Sequence, residues 1–162
     1  MRYPGSVPLL LLAIACGRPA ETPGAAAEIE RLKAVNDAYR DAWLAGDSAA
    51  VLRLFTADAV LLPHHGDPPI VGLDAIGAFW WPPNMAPATI TRLDITTDGA
   101  DVAGNRGVLW GRFTLAFSYQ AEGRQRSVRN AGTYLMALTR APEDGRWRIT
   151  HRMWDDPVPL QD

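Results

Sequence analysis

The chain has 162 residues, 48% of them hydrophobic and 21% charged, with a formal net charge of −2. That balance fits one soluble globular domain, long enough to bury a core without disulfides or a structural metal. The weakly acidic charge argues against a nucleic-acid partner, which would call for a basic patch. The single cysteine, Cys16, excludes an internal disulfide.

The first segment reads as a processing signal. Arg2 supplies a positive start, residues 7–14 form an apolar run broken by Pro8, and Ala13-Ile14-Ala15 places small residues before Cys16. The run is far shorter than the ~20 residues of a membrane-spanning helix, and its layout is that of a signal peptide. Leu12-Ala13-Ile14-Ala15-Cys16 resembles a bacterial lipobox, with Ala13 where leucine is usual. The resemblance implies that residues 1–15 are removed and that Cys16 is lipidated. The protein would then be exported and held on the periplasmic or cell-surface side of a membrane. Plain secretion with cleavage after Ala15 is the alternative. Residues 16–27, rich in Pro, Gly and Ala without periodicity, read as a flexible tether. The folded domain is expected over 28–157, with a short tail at 158–162.

Residues 28–45 carry Ile29, Leu32, Val35, Tyr39, Ala42 and Trp43 at three- and four-residue spacing, the pattern of an amphipathic helix. Gly46 stops it. Asp47 or Ser48 caps a second short helix over 49–55. Residues 59–62 read as a short strand ended by Pro63, 64–69 as a loop, and 73–81 as a third helix stopped by Pro82-Pro83. Beyond residue 88 the pattern changes to alternation. Strands are expected over 89–97, 102–119, 126–139 and 146–153, with turns at Asp98-Gly99, Glu122-Gly123 and Asp144-Gly145. Helices followed by an antiparallel meander define an α+β class, a curved antiparallel sheet wrapped around N-terminal helices.

The run Tyr39-Arg40-Asp41-Ala42-Trp43-Leu44-Ala45-Gly46-Asp47, then Leu54-Phe55-Thr56-Ala57-Asp58-Ala59-Val60, resembles the front end of the SnoaL-like and ketosteroid isomerase-like domains of the nuclear transport factor 2-like superfamily. So do Val71-Gly72-Leu73-Asp74-Ala75-Ile76, Phe79-Trp80 and the closing Asp144-Gly145-Arg146-Trp147-Arg148-Ile149. The resemblance covers residues 28–154 and implies a cone-shaped, cystatin-like roll around a deep pocket. Many relatives form dimers, so a homodimer is expected. Steroid isomerisation uses a carboxylate base with a Tyr and a protonated Asp as oxyanion donors. By spacing, Tyr39 matches the oxyanion tyrosine, the base falls near Pro63, and the second acid near Gly132. Neither proline nor glycine can serve, so that reaction is not expected.

Candidate site residues follow. His64 and His65 stand just beyond the lost base, and a neutral imidazole can take a proton near physiological pH. Either they serve the pocket or they are exposed loop polarity. Trp43 is expected beside Tyr39, as core packing or pocket wall. Trp80 and Trp81 are adjacent on a helix and cannot face the same way, so one is buried and the other sits at a rim or pocket mouth. Trp110 and Arg112 share a strand face; pointing inward, Arg112 can hold an anion, and pointing outward it is solvated. In the last strand, Trp147, Ile149, His151 and Met153 form the more apolar face and are expected inside, with Arg148, Thr150, Arg152 and Trp154 outside. His151 is then a pocket base or a satisfied core histidine. Arg129 and Asn130 on the neighbouring strand can line the same cavity. A metal would need His151 or Asp67 as a further ligand, and no tight spacing groups them. No glycine-rich phosphate loop is present and no cofactor is implied.

Three functions remain. The first is a domain binding a small, largely apolar molecule. The second is a low-specificity isomerase, hydrolase or lyase with His64 or His151 as base and Tyr39 as donor. The third is a dimeric interaction domain. A polar dyad inside the cavity favours the enzyme, an apolar cavity without a titratable pair favours binding, and a filled cavity with an exposed apolar sheet face favours assembly.

Overall fold

The computed structural model describes residues 23–156. Cys16, the segment 1–15 expected as a signal peptide and the expected tail at 158–162 lie outside the described residues. Helix α1 spans Pro23–Leu44, so residues 23–27, expected as tether, are helical. Ala25-Ala26-Ala27 are strong helix formers, and proline fits a first turn, where its missing N–H is not needed. Leu32, Val35, Asn36, Tyr39 and Ala42 form the buried stripe. Gly46, at φ +66°, closes the helix. Its N–H bonds the carbonyl of Trp43, and the N–H of Asp47 bonds that of Ala42, the paired bonds of a Schellman end. Asp47, not Ser48, caps α2 (Ser48–Arg53) by accepting from Ala50 N at 2.8 Å.

The remaining elements are β1 (Phe55–Leu62), a single 3-10 turn (His64–Gly66), β2 (Ile70–Val71), α3 (Leu73–Trp80), β3 (Thr89–Ala103), β4 (Arg106–Ala121), β5 (Arg124–Arg140) and β6 (Trp147–Asp155). They form one six-stranded sheet of order β2-β1-β6-β5-β4-β3. All neighbours are antiparallel except β1 and β6, which run parallel. The class is α+β, with the helices on the concave face of a bent sheet. The core lies between, built from Leu32, Leu61, Ile76, Leu109, Met136, Leu138 and Ile149.

Two local readings are corrected. Asp98-Gly99 is not a turn: β3 runs through it, and the reversal comes at Gly104-Asn105, between paired Ala103 and Arg106. Thr97 pairs with Gly111 and Gly99 with Trp110, leaving Asp98 as the extra residue of a β-bulge. The second correction is in β6. Leu138 pairs with Ile149 but Ala137 with His151, so Thr150 is extra, and its hydroxyl donates to the Ala137 carbonyl at 3.1 Å. A side-chain period of two cannot survive an added residue. Trp147 and Ile149 face inward as expected. Past the bulge, Arg152 is buried while His151 and Met153 are exposed.

The start of α1 is fastened to the far end of the sheet. Glu28 accepts from Trp147 Nε1 at 3.0 Å and pairs with Arg140 at 3.3 Å. The Trp147 hydrogen bond, with the charges of Arg31 and Arg140, holds the Glu28 carboxyl below its ordinary value against desolvation. A lowered folded pKa gives stability present above the unfolded value near ~4.3 and lost as pH falls through the folded one. Glu28→Gln is therefore expected to lower the melting temperature at pH 7, with the gap closing as pH drops below about 4. Melting curves at pH 7 and pH 3 check this; an equal gap at both would contradict it.

Candidate active site

The cone encloses a cavity of about 300 Å³, at the small end of the range for small-molecule sites. Its aromatic wall grows from α1 and α3. Tyr39 meets Phe55 and Trp43 edge to face at 6.3 and 6.1 Å between ring centroids. Trp80 packs on Trp43 at 5.3 Å and on Phe55 at 5.7 Å. Trp81 stacks on Trp43 at 4.8 Å and meets Trp80 edge to face at 5.8 Å. It lies just past the helix end, with φ −129°, so both adjacent tryptophans reach Trp43. Trp43 and Trp80 line the cavity; Trp81 backs the wall and is not among the lining residues. Phe79, Ile90, Leu93, Phe113, Leu115 and Phe117 add to the apolar lining.

The polar end is set by the turn after β1 and the end of β6. His64 Nδ1 lies 2.8 Å from Asp156 Oδ1. Asn130, on β5, donates to Asp156 Oδ2 at 2.6 Å. His64, Asn130 and Asp156 all line the cavity, and the Asp156 side chain is only 2% exposed. The contact is an ion pair by distance rather than an aligned hydrogen bond; a carboxylate beside Nδ1 favours the proton there and leaves Nε2 as the basic nitrogen. Trp154 packs against the His64 ring at 5.5 Å. Arg152 lies behind, its guanidinium 4.4 Å above the Tyr39 ring and 5.8 to 5.9 Å from those of Trp154 and Tyr134. Tyr134 is held by Asn36, which donates to its hydroxyl at 2.5 Å and to Thr97 Oγ1 at 3.1 Å.

Asp156 reaches this position because β5 gives way. A Cβ on Gly132 would lie 2.1 Å from the Asp155 carbonyl oxygen and 3.0 Å from Asp156 Cα. The chain after β6 therefore crosses the ground that a side chain at position 132 would occupy. Where the resemblance places a second acid on β5, this chain has glycine there; the backbone at the end of β6 occupies that ground, and the Asp156 carboxylate is held by Asn130, two residues before that glycine. Likewise the position of the lost base, Pro63, is followed at once by His64.

Of the residues singled out from sequence, the cavity brings together Tyr39, Trp43, His64, Trp80 and Asn130. Others are placed elsewhere. His151 is exposed, with Nδ1 3.1 Å from Thr150 Oγ1, because the bulge turns it outward. Trp110 is 42% exposed on the convex face, its indole filling the space over Gly99. Arg112, on the same face, donates to both Asp98 oxygens at 2.9 and 2.8 Å, which holds the Asp98 carboxyl below its ordinary value. Arg129 is exposed, outside the lining. The side chain of His65 lies outside the described residues. Sequence reasoning missed Asp156, Arg152 and Trp154. Their spacing of two was a usable signal, had the strand's phase been known.

Sheet order, helix placement and pocket define a nuclear transport factor 2-like cone. The SnoaL-like domain family matches residues 36–151, and the chain belongs to it. No curated protein matches at the sequence level. Among solved structures, a ketosteroid isomerase-like protein from Erwinia carotovora atroseptica aligns with TM-score 0.69 and 19% identity, over 82% of this chain and 98% of that one. A conserved protein from Planctomyces limnophilus gives TM-score 0.66 and 15% identity, over 82% and 98%. A nuclear transport factor 2 superfamily protein from Salmonella enterica gives 0.65 and 16%, over 85% and 96%. At these identities the likeness is one of fold.

Proposed function

We propose that the cavity is the active site of an enzyme that moves a proton on a small, largely apolar molecule. His64 is the base, Asp156 its positioning partner, and Tyr39 the donor to the oxygen on which charge develops. The observation that carries this is the 2.8 Å contact of His64 with Asp156 inside a cavity lined mainly by aromatic and aliphatic side chains. A domain that only binds an apolar molecule needs no such pair. The reaction class is proton abstraction beside a carbonyl, followed by isomerisation or elimination. The test is exchange of α-hydrogens for deuterium in D₂O, followed by ¹H NMR on a panel of small cyclic and aryl ketones. Exchange above the buffer rate that His64→Gln removes supports the reading. Buffer-level exchange across the panel, or a fully active His64→Gln protein, contradicts it.

Two further parts of the reading concern surroundings. Trp110 pairs across the sheet with Leu135, and Leu135 with Met153. The three form an apolar row on the convex face, 42%, 38% and 44% exposed. Such a row favours a homodimer through this face. Light scattering should give twice the monomer mass, and Leu135→Lys should halve it; a monomeric parent protein rules the dimer out. Export and lipid anchoring at Cys16 complete the proposal, supported by the lipobox-like run. Labelled palmitate should enter the full-length chain in a bacterial host and not its Cys16→Ser variant. Absence of label from both would rule the anchor out.

A further inference from the structure

We infer that the molecule held in this cavity is a small monocarboxylate, an aromatic or alicyclic acid whose charge is met by Arg152. The inference takes the cavity from the proposed function but does not depend on catalysis there.

Arg152 is 7% exposed. Its Nε and Nη1 are buried and have no hydrogen-bond partner among the described residues. It forms no ion pair with a carboxylate among the described residues, whereas eight other arginines do. Arginine cannot shed its proton to escape burial, and a buried unpaired charge is strongly unfavourable. The Tyr39, Tyr134 and Trp154 faces around it offset part of that cost. They do not satisfy N–H donors. The neighbouring acid does not do so either: Asp156 lies against His64 and Asn130 and forms no ion pair with Arg152 among the described residues. Arg152 lines the cavity, and because Nε and Nη1 are themselves covered, a carboxylate that takes them up must displace the groups over them. A guanidinium presents planar paired donors that match a carboxylate in two parallel bonds.

The remainder of the cavity specifies the rest of the ligand. Among the described residues, Arg152 is the only Lys or Arg lining the cavity, which suits one negative charge and not a nucleotide or a sugar phosphate. Phe79, Trp80, Phe113 and Phe117 line the other side and suit a ring. A volume of about 300 Å³ fits one ring with a short side chain.

The test is titration of the purified protein with benzoate, phenylacetate and cyclohexanecarboxylate, each against its primary amide, followed by calorimetry. The amides keep shape and lose charge. At least one acid should bind roughly 10- to 100-fold tighter than its amide, and Arg152→Gln should abolish that preference. If the variant fails to fold, the acid-to-amide ratio in the parent protein decides alone. Amides binding as tightly as acids, no binding by any acid, or an intact preference in folded Arg152→Gln would overturn the inference. Acid preference without deuterium exchange would keep the carboxylate site and remove the enzyme. Exchange without acid preference would do the reverse.

Discussion

His64→Gln is expected to reduce deuterium exchange by about 10²- to 10⁴-fold, the usual contribution of a positioned general base. Asp156→Asn should cost a substantial part of that range. The carboxylate both fixes the ring and stabilises the imidazolium formed when Nε2 takes a proton. An amide can still accept the Asn130 hydrogen bond but offers no charge. Because the two residues act as one unit, the double variant should be little worse than His64→Gln alone. Rates of the three variants, with melting curves to confirm folding, check this. Multiplying losses would mean that Asp156 acts independently of His64.

Gly132→Ala should damage stability and site together. The added methyl would sit 2.1 Å from the Asp155 carbonyl oxygen, a backbone atom that cannot rotate away as a side-chain tip could. Relief requires the end of β6 to lift from β5, carrying Asp156 with it. Overpacking of this kind costs about 1–3 kcal/mol, which urea unfolding would read directly. The exchange rate should fall further than the stability loss explains, because the His64 contact lengthens. Unchanged stability would mean that Asp155 does not cross β5 where the structure puts it.

Much of the fold was legible because its signals are local. The apolar stripe of α1, the Gly46 stop, the Asp47 cap and the alternation of the later strands each follow from a few neighbouring residues. The site was legible only where it rides on those elements, as Tyr39 and Trp43 do on α1 and Asn130 on β5. The misreadings come from bulges, which arise from pairing with a distant strand and leave little mark on the strand itself. An extra residue at Thr150 exchanges the faces of everything after it, hiding Arg152 and Trp154 and promoting His151. Asp98-Gly99 has the residues of a turn and is a bulge inside β3. Asp156 was hidden for another reason. It follows the last strand, and its place depends on the empty side-chain position at Gly132 on a different strand. A glycine read as the loss of an acid is the feature that admits one.

The central claim is that Asp156 orients His64 as a base toward the cavity. Its most direct test is the ¹⁵N spectrum of the histidine rings, with His64 assigned by comparison with His64→Gln and read at a pH where the imidazole is neutral. The 2.8 Å contact predicts the Nδ1-protonated tautomer for His64 in the parent protein and its loss or mixing in Asp156→Asn. An Nε2-protonated His64 in the parent protein, unchanged by Asp156→Asn, would contradict the claim.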